Sequence, residues 1–134
     1  MTADPISATT PAVVVRRYLG EALTGGRAQA LEALVSGADL RRRATSFRRA
    51  FPDLVVTVQQ LIADGDMVGV HVTGRGTHLG VFQGVPPTGR AWTAGCTALY
   101  RVADGRIVDA WVNWDLLSML EQIGGIRRAT TASA

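Results

Sequence analysis

The sequence predicts a single α+β domain in which N-terminal helices precede an antiparallel sheet and one short helix closes the chain. Three observations predict it. Apolar residues recur at three- and four-residue spacing as far as Phe51, then shift to alternation from Leu54 onward. Asp64-Gly65-Asp66 and Asp104-Gly105 are tight-turn signatures between alternating runs, which makes the strands they join antiparallel neighbours. The 134 residues, 47% of them hydrophobic, suffice for one domain with a true core and leave little for a second. Helices first and hairpin-linked strands afterwards is the α+β arrangement.

Each element has its own justification. Thr10-Pro11 reads as a helix start, because proline is tolerated in the first turn. Val14, Tyr18, Leu19 and Ala22 share a face, and Gly25-Gly26 ends the helix. A second helix is expected from Ala28 to Val35, broken at Ser36-Gly37. A third is expected from Asp39 to Ala50, stopped by Pro52. Leu54, Val56 and Val58 mark the first strand, and Met67 to Gly74 the second, with Val68, Val70 and Val72 on one side. Residues 76–90 hold a high density of Gly together with Pro86-Pro87 and read as a long loop with room for a short strand. Ala91 to Val102 and Ile107 to Trp114 form the last hairpin, and Leu116 to Ile123 the final helix. Residues 1–12 are expected to be a flexible leader, 13–124 the domain, and 125–134 a flexible tail. No internal repeat is visible.

Composition narrows the function classes. All 14 basic residues are Arg and the net charge is +3. Without Lys there is no Schiff-base chemistry. Arg41, Arg42, Arg43, Arg48 and Arg49 form the densest basic cluster. Ala44, Phe47, Ala50 and Phe51 interleave with them at helical spacing, so the solvated side of a helix is preferred to a nucleic-acid face, for which no accompanying motif is present. Cys96 is alone and sits in a strand pattern, which suits a small buried hydrophobe. No apolar run reaches the roughly 18 residues of a membrane span, and the start lacks a signal-peptide pattern. The expectation is a cytoplasmic protein without membrane partners. No metal-ligand spacing, phosphate-cradling loop or nucleophile elbow occurs.

Three segments together resemble the SnoaL-like polyketide cyclase family of the nuclear-transport-factor-two-like superfamily. They are Phe51-Pro-Asp-Leu; Gly76-Thr-His-Leu-Gly-Val-Phe-Gln-Gly-Val-Pro-Pro-Thr-Gly-Arg90; and Tyr100-Arg-Val-Ala-Asp-Gly-Arg-Ile-Val-Asp followed by Trp111-Val-Asn-Trp-Asp and a helix ending Gln122-Ile-Gly. The resemblance covers about Val13 to Gly124. It implies a curved sheet forming a cone or half-barrel that encloses an apolar pocket, a small-molecule substrate, no cofactor and no metal, and a homodimer or homotetramer. It also implies two departures. The catalytic Asp of the aldol cyclases falls on Val112, and their strand His falls near Ala98. The segment between the second and third helices is shorter than in relatives, so one pocket wall is reduced or rebuilt.

If positions 98 and 112 face the pocket, alternation turns Ala94, Cys96, Ala98 and Tyr100 inward beside Val108, Ala110 and Val112, a mostly apolar wall. The candidate catalytic residues are Asp115, Tyr100 and His71. Asp115 reads either as a base or as the cap of the final helix. The candidate substrate-binding residues are Tyr18, Phe51, Cys96, Ala98, Trp111, Val112, Asn113 and Trp114. Asn113 either bonds a ligand carbonyl or bonds across the sheet, and the two Trp either stack on a ligand or pack in the core or a subunit interface. His78 reads as a loop-ordering residue. The preferred function is a small-molecule tailoring enzyme of polyketide or related secondary metabolism, acting by cyclisation or by assisting hydroxylation or ring opening. The alternative is a non-catalytic ligand-binding or chaperone-like protein of the same fold.

Overall fold

A computed structural model describes residues 10–127 and Ala129. Helix α1 spans Pro11–Arg17 and continues without a break into a π-helical stretch, Tyr18–Thr24. The amide of Gly25 closes on the carbonyl of Gly20, five residues back, instead of the α-helical four. Helix α2 is Ala28–Leu34 and α3 is Ala38–Ala50. Strands β1 (Val55–Asp64), β2 (Met67–Thr77), β3 (Ala91–Ala103) and β4 (Arg106–Trp114) follow, then α4 (Leu116–Ile123). Nearly every element lies within a residue or two of its expected place. The larger differences are the π-helical stretch and the reach of β2 to Thr77. Residues 78–90 hold one isolated pairing, Phe82 with Val85, and no strand. Helix α1 begins at Pro11; residues 1–9 of the expected leader and most of the expected tail lie outside the described residues.

The sheet is antiparallel in the order β1-β2-β3-β4 and is not closed. Register slips at Val58/Gln60 and at Arg101/Val102 mark bulges, which bend strands and increase twist. The inner face carries Val68, Val70, Val72, Ala94, Cys96, Ala98 and Tyr100, all buried. Against it pack Val14, Val15, Leu19 and Leu23 of the first helix. Each such side chain, once buried, contributes roughly 1.5–3 kcal/mol of transfer free energy.

The family-like motifs are structural pins. Phe51 and Leu54 are fully buried, and Asp53 between them accepts from the Thr77 amide (2.8 Å) and hydroxyl (2.7 Å), fixing the end of β2 to the end of α3. His78 is fully buried. Its Nδ1 accepts from the Thr88 amide at 3.2 Å and lies 3.0 Å from the Thr88 hydroxyl, which holds the two ends of the loop together. Gly80 permits the loop to lie on α3: a Cβ there would sit 2.3 Å from the Arg49 carbonyl oxygen. Gln122 binds both main-chain groups of Thr93 at 2.8 Å and docks α4 on β3. The short link after α2 is stitched to the edge of β4 by Val35 beside Ile107 and by a 2.9 Å bond from the Ser36 amide to the Ile107 carbonyl.

Candidate functional site

Between the inner face of the sheet and the helices lies a cavity of about 730 Å³. Tyr18, Leu19 and Leu23 line it from the first helix, and Leu40, Ala44 and Phe47 from α3. Val56, Val72, Cys96, Tyr100, Ala110, Val112 and Trp114 form the sheet wall. Val81, Phe82 and Gln83 of the long loop and Leu116 border it, and Arg42, Arg43 and Ser46 add a polar flank on α3. Volume and lining suit a ligand of drug-like size held mainly by apolar contact.

Aromatic rings shape one end. Trp114 stacks on Phe47 at 5.0 Å and meets Trp92 edge-on at 5.7 Å. The ring has room because position 74 is Gly: a Cβ there would lie 2.5 Å from Trp114 Cη2. At the other end Tyr18 and Tyr100 meet edge to face at 5.8 Å. Neither hydroxyl has a hydrogen-bond partner among the described residues.

The electrostatics are those of donors. Burial pushes the Tyr18 phenol up to about 12, with the positive charge of Arg43 pulling the other way. Burial raises Tyr100 well above the ordinary phenol value, and the nearby Tyr18 and Cys96 add to the rise. Burial takes the Cys96 thiol to about 11 against a backbone hydrogen bond from Asn113. At neutral pH all three are protonated. They can donate a hydrogen bond to a ligand oxygen and cannot act as bases. The cavity lining contains no Asp, Glu or His, and among the described residues no group of three metal-ligating side chains exists.

The sequence model of the SnoaL-like polyketide cyclase family matches residues 15–123. The chain belongs to that family. IdmH of Streptomyces antibioticus, a proposed polyketide cyclase, is 30% identical over 86% of this chain and 99% of its own, with a TM-score of 0.70. AclR of Streptomyces galilaeus, a proposed hydroxylase, is 23% identical over 92% and 86% with a TM-score of 0.75. TsrD of Streptomyces laurentii is 22% identical over 93% and 100% with a TM-score of 0.77. The last two likenesses show the fold. A search of curated proteins returns no match.

Within this SnoaL-like frame the structure brings Tyr18, Cys96, Tyr100, Val112 and Trp114 to the lining of one cavity. It separates the others. His71 pairs with Thr97 and Trp111 with Leu99, both on the outer face of the sheet and exposed, and neither is among the cavity-lining residues. The reason is alternation: Trp111 and Trp114 are three residues apart on one strand and must point to opposite faces. Asn113 is paired with the outward Thr97 and borders the cavity through its main chain. Phe51 packs behind the cavity on Trp92 (4.8 Å) and Phe82 (4.9 Å), and Ala98 is buried under the first helix, so neither lines it. Asp115 lies outside the cavity lining and accepts from the Ser118 amide at 3.1 Å, which is the geometry of a helix cap.

Phe47, Arg42, Arg43 and Ser46 were missed by sequence reasoning. Their signal was present in the spacing Arg43-Phe47, four apart on one helix face. The basic run hid it. Arg41 turns away to the Val35 carbonyl (3.0 Å) and Glu32 (3.5 Å), while Arg48 packs on the Gly25-Gly26 turn. The five arginines therefore do not form one face.

Proposed function

We propose that this SnoaL-like protein is a small-molecule tailoring enzyme of polyketide or related secondary metabolism, acting on a bulky apolar substrate that carries a carbonyl. The observation that carries the reading is the pair of phenols, Tyr18 and Tyr100, which have no hydrogen-bond partner among the described residues and line a cavity walled mainly by apolar side chains. The description of IdmH as a proposed cyclase and of AclR as a proposed hydroxylase supports a tailoring role.

The chemistry follows from the donors. A carbonyl oxygen placed between the two phenols gains negative charge as a water molecule takes a proton from the adjacent carbon and the C–H electron pair moves into the enolate. Preorganised neutral donors in a site of low dielectric stabilise that charge with no reorganisation at the moment of reaction. The resemblance to the aldol cyclases implies that their Asp falls on Val112 and their His near Ala98, and the cavity lining carries no carboxylate or imidazole. The cavity therefore polarises the substrate and orients it, and the rate gain comes from the oxyanion and from positioning.

The test is turnover of a panel of aromatic polyketide esters by the parent, Tyr18→Phe and Tyr100→Phe. Loss of one such donor is expected to lower kcat by roughly 10²-fold with an unchanged melting temperature. Full activity in both Phe variants overturns the mechanism. The absence of any carboxylate or imidazole from the lining favours a second reading, a non-catalytic ligand-binding protein. Tight binding of the same esters with no product over long incubation would establish it.

A further inference from the structure

The polar flank of the cavity is chemically one-sided. Arg42 and Arg43 lie three and four residues after Asp39 on α3, Ser46 lies three after Arg43, and all but Asp39 line the cavity. Arg42 Nη2 binds Asp39 Oδ1 at 2.8 Å, and Arg43 Nε lies 3.4 Å from Asp39 Oδ2. One carboxylate thus serves two guanidiniums, which leaves one positive charge uncompensated. Each guanidinium has five N–H donors in a fixed fork, and a single contact to Asp39 leaves most of them unspent. Ser46 and Gln83 add neutral polar groups at the same edge. No other acidic side chain borders the cavity to neutralise the pair. Both contacts to Asp39 are exposed and weak, so a ligand anion can compete for either guanidinium. Arg43 acts on the Tyr18 phenol electrostatically, so the cation and the buried donors belong to one site.

We propose that the ligand is an amphipathic acid: an apolar body that fills the aromatic and aliphatic interior and one anionic group, of carboxylate type, held at the mouth by Arg42 and Arg43. The inference deepens the tailoring-enzyme reading and rests on it, because the same cavity must take the ligand. It assigns the orientation as well. The acid end lies on the α3 flank, and the carbonyl end reaches the two phenols.

The experiment uses two dyes with the same ring system. 1-Anilinonaphthalene-8-sulfonate is anionic, and N-phenyl-1-naphthylamine is its neutral counterpart. Fluorescence titration of the full chain at low salt is expected to show the anionic dye binding roughly tenfold more tightly, as befits a charge-assisted contact. The gap should close as ionic strength rises, because the arginines are half exposed. Arg42→Gln/Arg43→Gln should abolish the gap by weakening the anionic dye alone. Arg43→Lys should keep part of it. Arg75→Gln/Arg101→Gln, which also removes two charges but from the outer sheet face, should leave it intact. Equal affinity for both dyes in the parent, or equal weakening of both by the double variant, overturns the anionic assignment while the cavity reading stands. Ala110→Trp fills the cavity and should abolish binding of both dyes. If both still bind it as they bind the parent, the dyes sit elsewhere, and the cavity reading falls together with this one. Circular dichroism of each variant reports whether the fold is retained, and Arg43→Lys carries the test if Gln at that position unfolds the helix.

Discussion

Replacing Gly74 by Ala adds one methyl group against the Trp114 ring. The new Cβ would lie 2.5 Å from Cη2 and 2.6 Å from Cζ3. Unstrained carbon contacts are roughly 3.5–4.0 Å, so the ring must retreat by about 1 Å. It cannot retreat towards Trp92 or Phe47, which meet it at 5.7 and 5.0 Å between centroids. The free direction is into the cavity. Overpacking of this kind costs about 1–3 kcal/mol, and loosening the stacked Phe47 contact adds about 0.5–1.5 kcal/mol. Ala in place of Gly within a strand returns about 0.5–1 kcal/mol. The net expectation is a loss of about 2 kcal/mol, or roughly 6–10 °C in Tm for a domain of this size. The cavity narrows at the same time. Urea unfolding followed by Trp emission reads the stability, and the dye titration reads the cavity. A Gly74→Ala variant with the parent's urea midpoint, emission spectrum and dye affinity would show that Trp114 does not lean on position 74.

Three further expectations follow from the same geometry. Asp115→Asn should leave stability and turnover nearly unchanged, while Asp115→Ala costs about 0.5–2 kcal/mol through the lost cap; a stable Asn variant without turnover would make the carboxylate catalytic. Cys96, Tyr18 and Tyr100 hold their protons more tightly folded than unfolded, so unfolding releases protons at alkaline pH and stability falls as pH rises from about 9 to about 12. The urea midpoint should be flat from pH 7 to about 8.5 and decline above it, and Cys96 should resist a thiol reagent at pH 8 until the protein unfolds; rapid labelling of the folded protein at that pH would contradict its burial. Ile62, Leu99 and Trp111 occupy one row across the outer sheet face and are all exposed, so we expect this face to pair two copies of the chain, with a dimer in light scattering and a monomer for Trp111→Glu; a monomeric parent at micromolar concentration sinks the idea.

The element order was legible because each stretch of sequence obeys one period. Val68, Val70 and Val72 announce an inner face, and the Asp-Gly turns announce the hairpins. The sheet wall of the cavity was legible for the same reason, since Cys96, Tyr100 and Val112 follow from alternation once one of them is placed inward. The outward direction of His71 was legible in its alternation with Val70 and Val72, and that of Trp111 in its alternation with Ala110 and Val112. The helical wall was less legible. Whether an arginine on a half-buried helix turns to solvent, to Asp39 or to a cavity depends on what lies opposite, and nothing local to residues 38–50 records that. His78 and Asp53 were recognisable as motif members, yet their roles as ties between loop ends and between α3 and β2 emerge only in three dimensions.

The π-helical stretch at Tyr18–Thr24 has a consequence for how cavities of this kind change. In ideal α-helical winding, residues five apart are swung about 140° around the axis. Here Tyr18 and Leu23 both line the cavity, because i→i+5 closure brings the later residue back over the earlier one. A π stretch is equivalent to an α-helix that has accepted one extra residue. Removing a single residue at the exposed Gly20 would restore the tighter winding and leave Tyr18 and Leu23 four apart, still on one face of the helix. The cavity wall therefore tolerates a one-residue change of length at this point of the helix, since Tyr18 and Leu23 keep their common face in either winding.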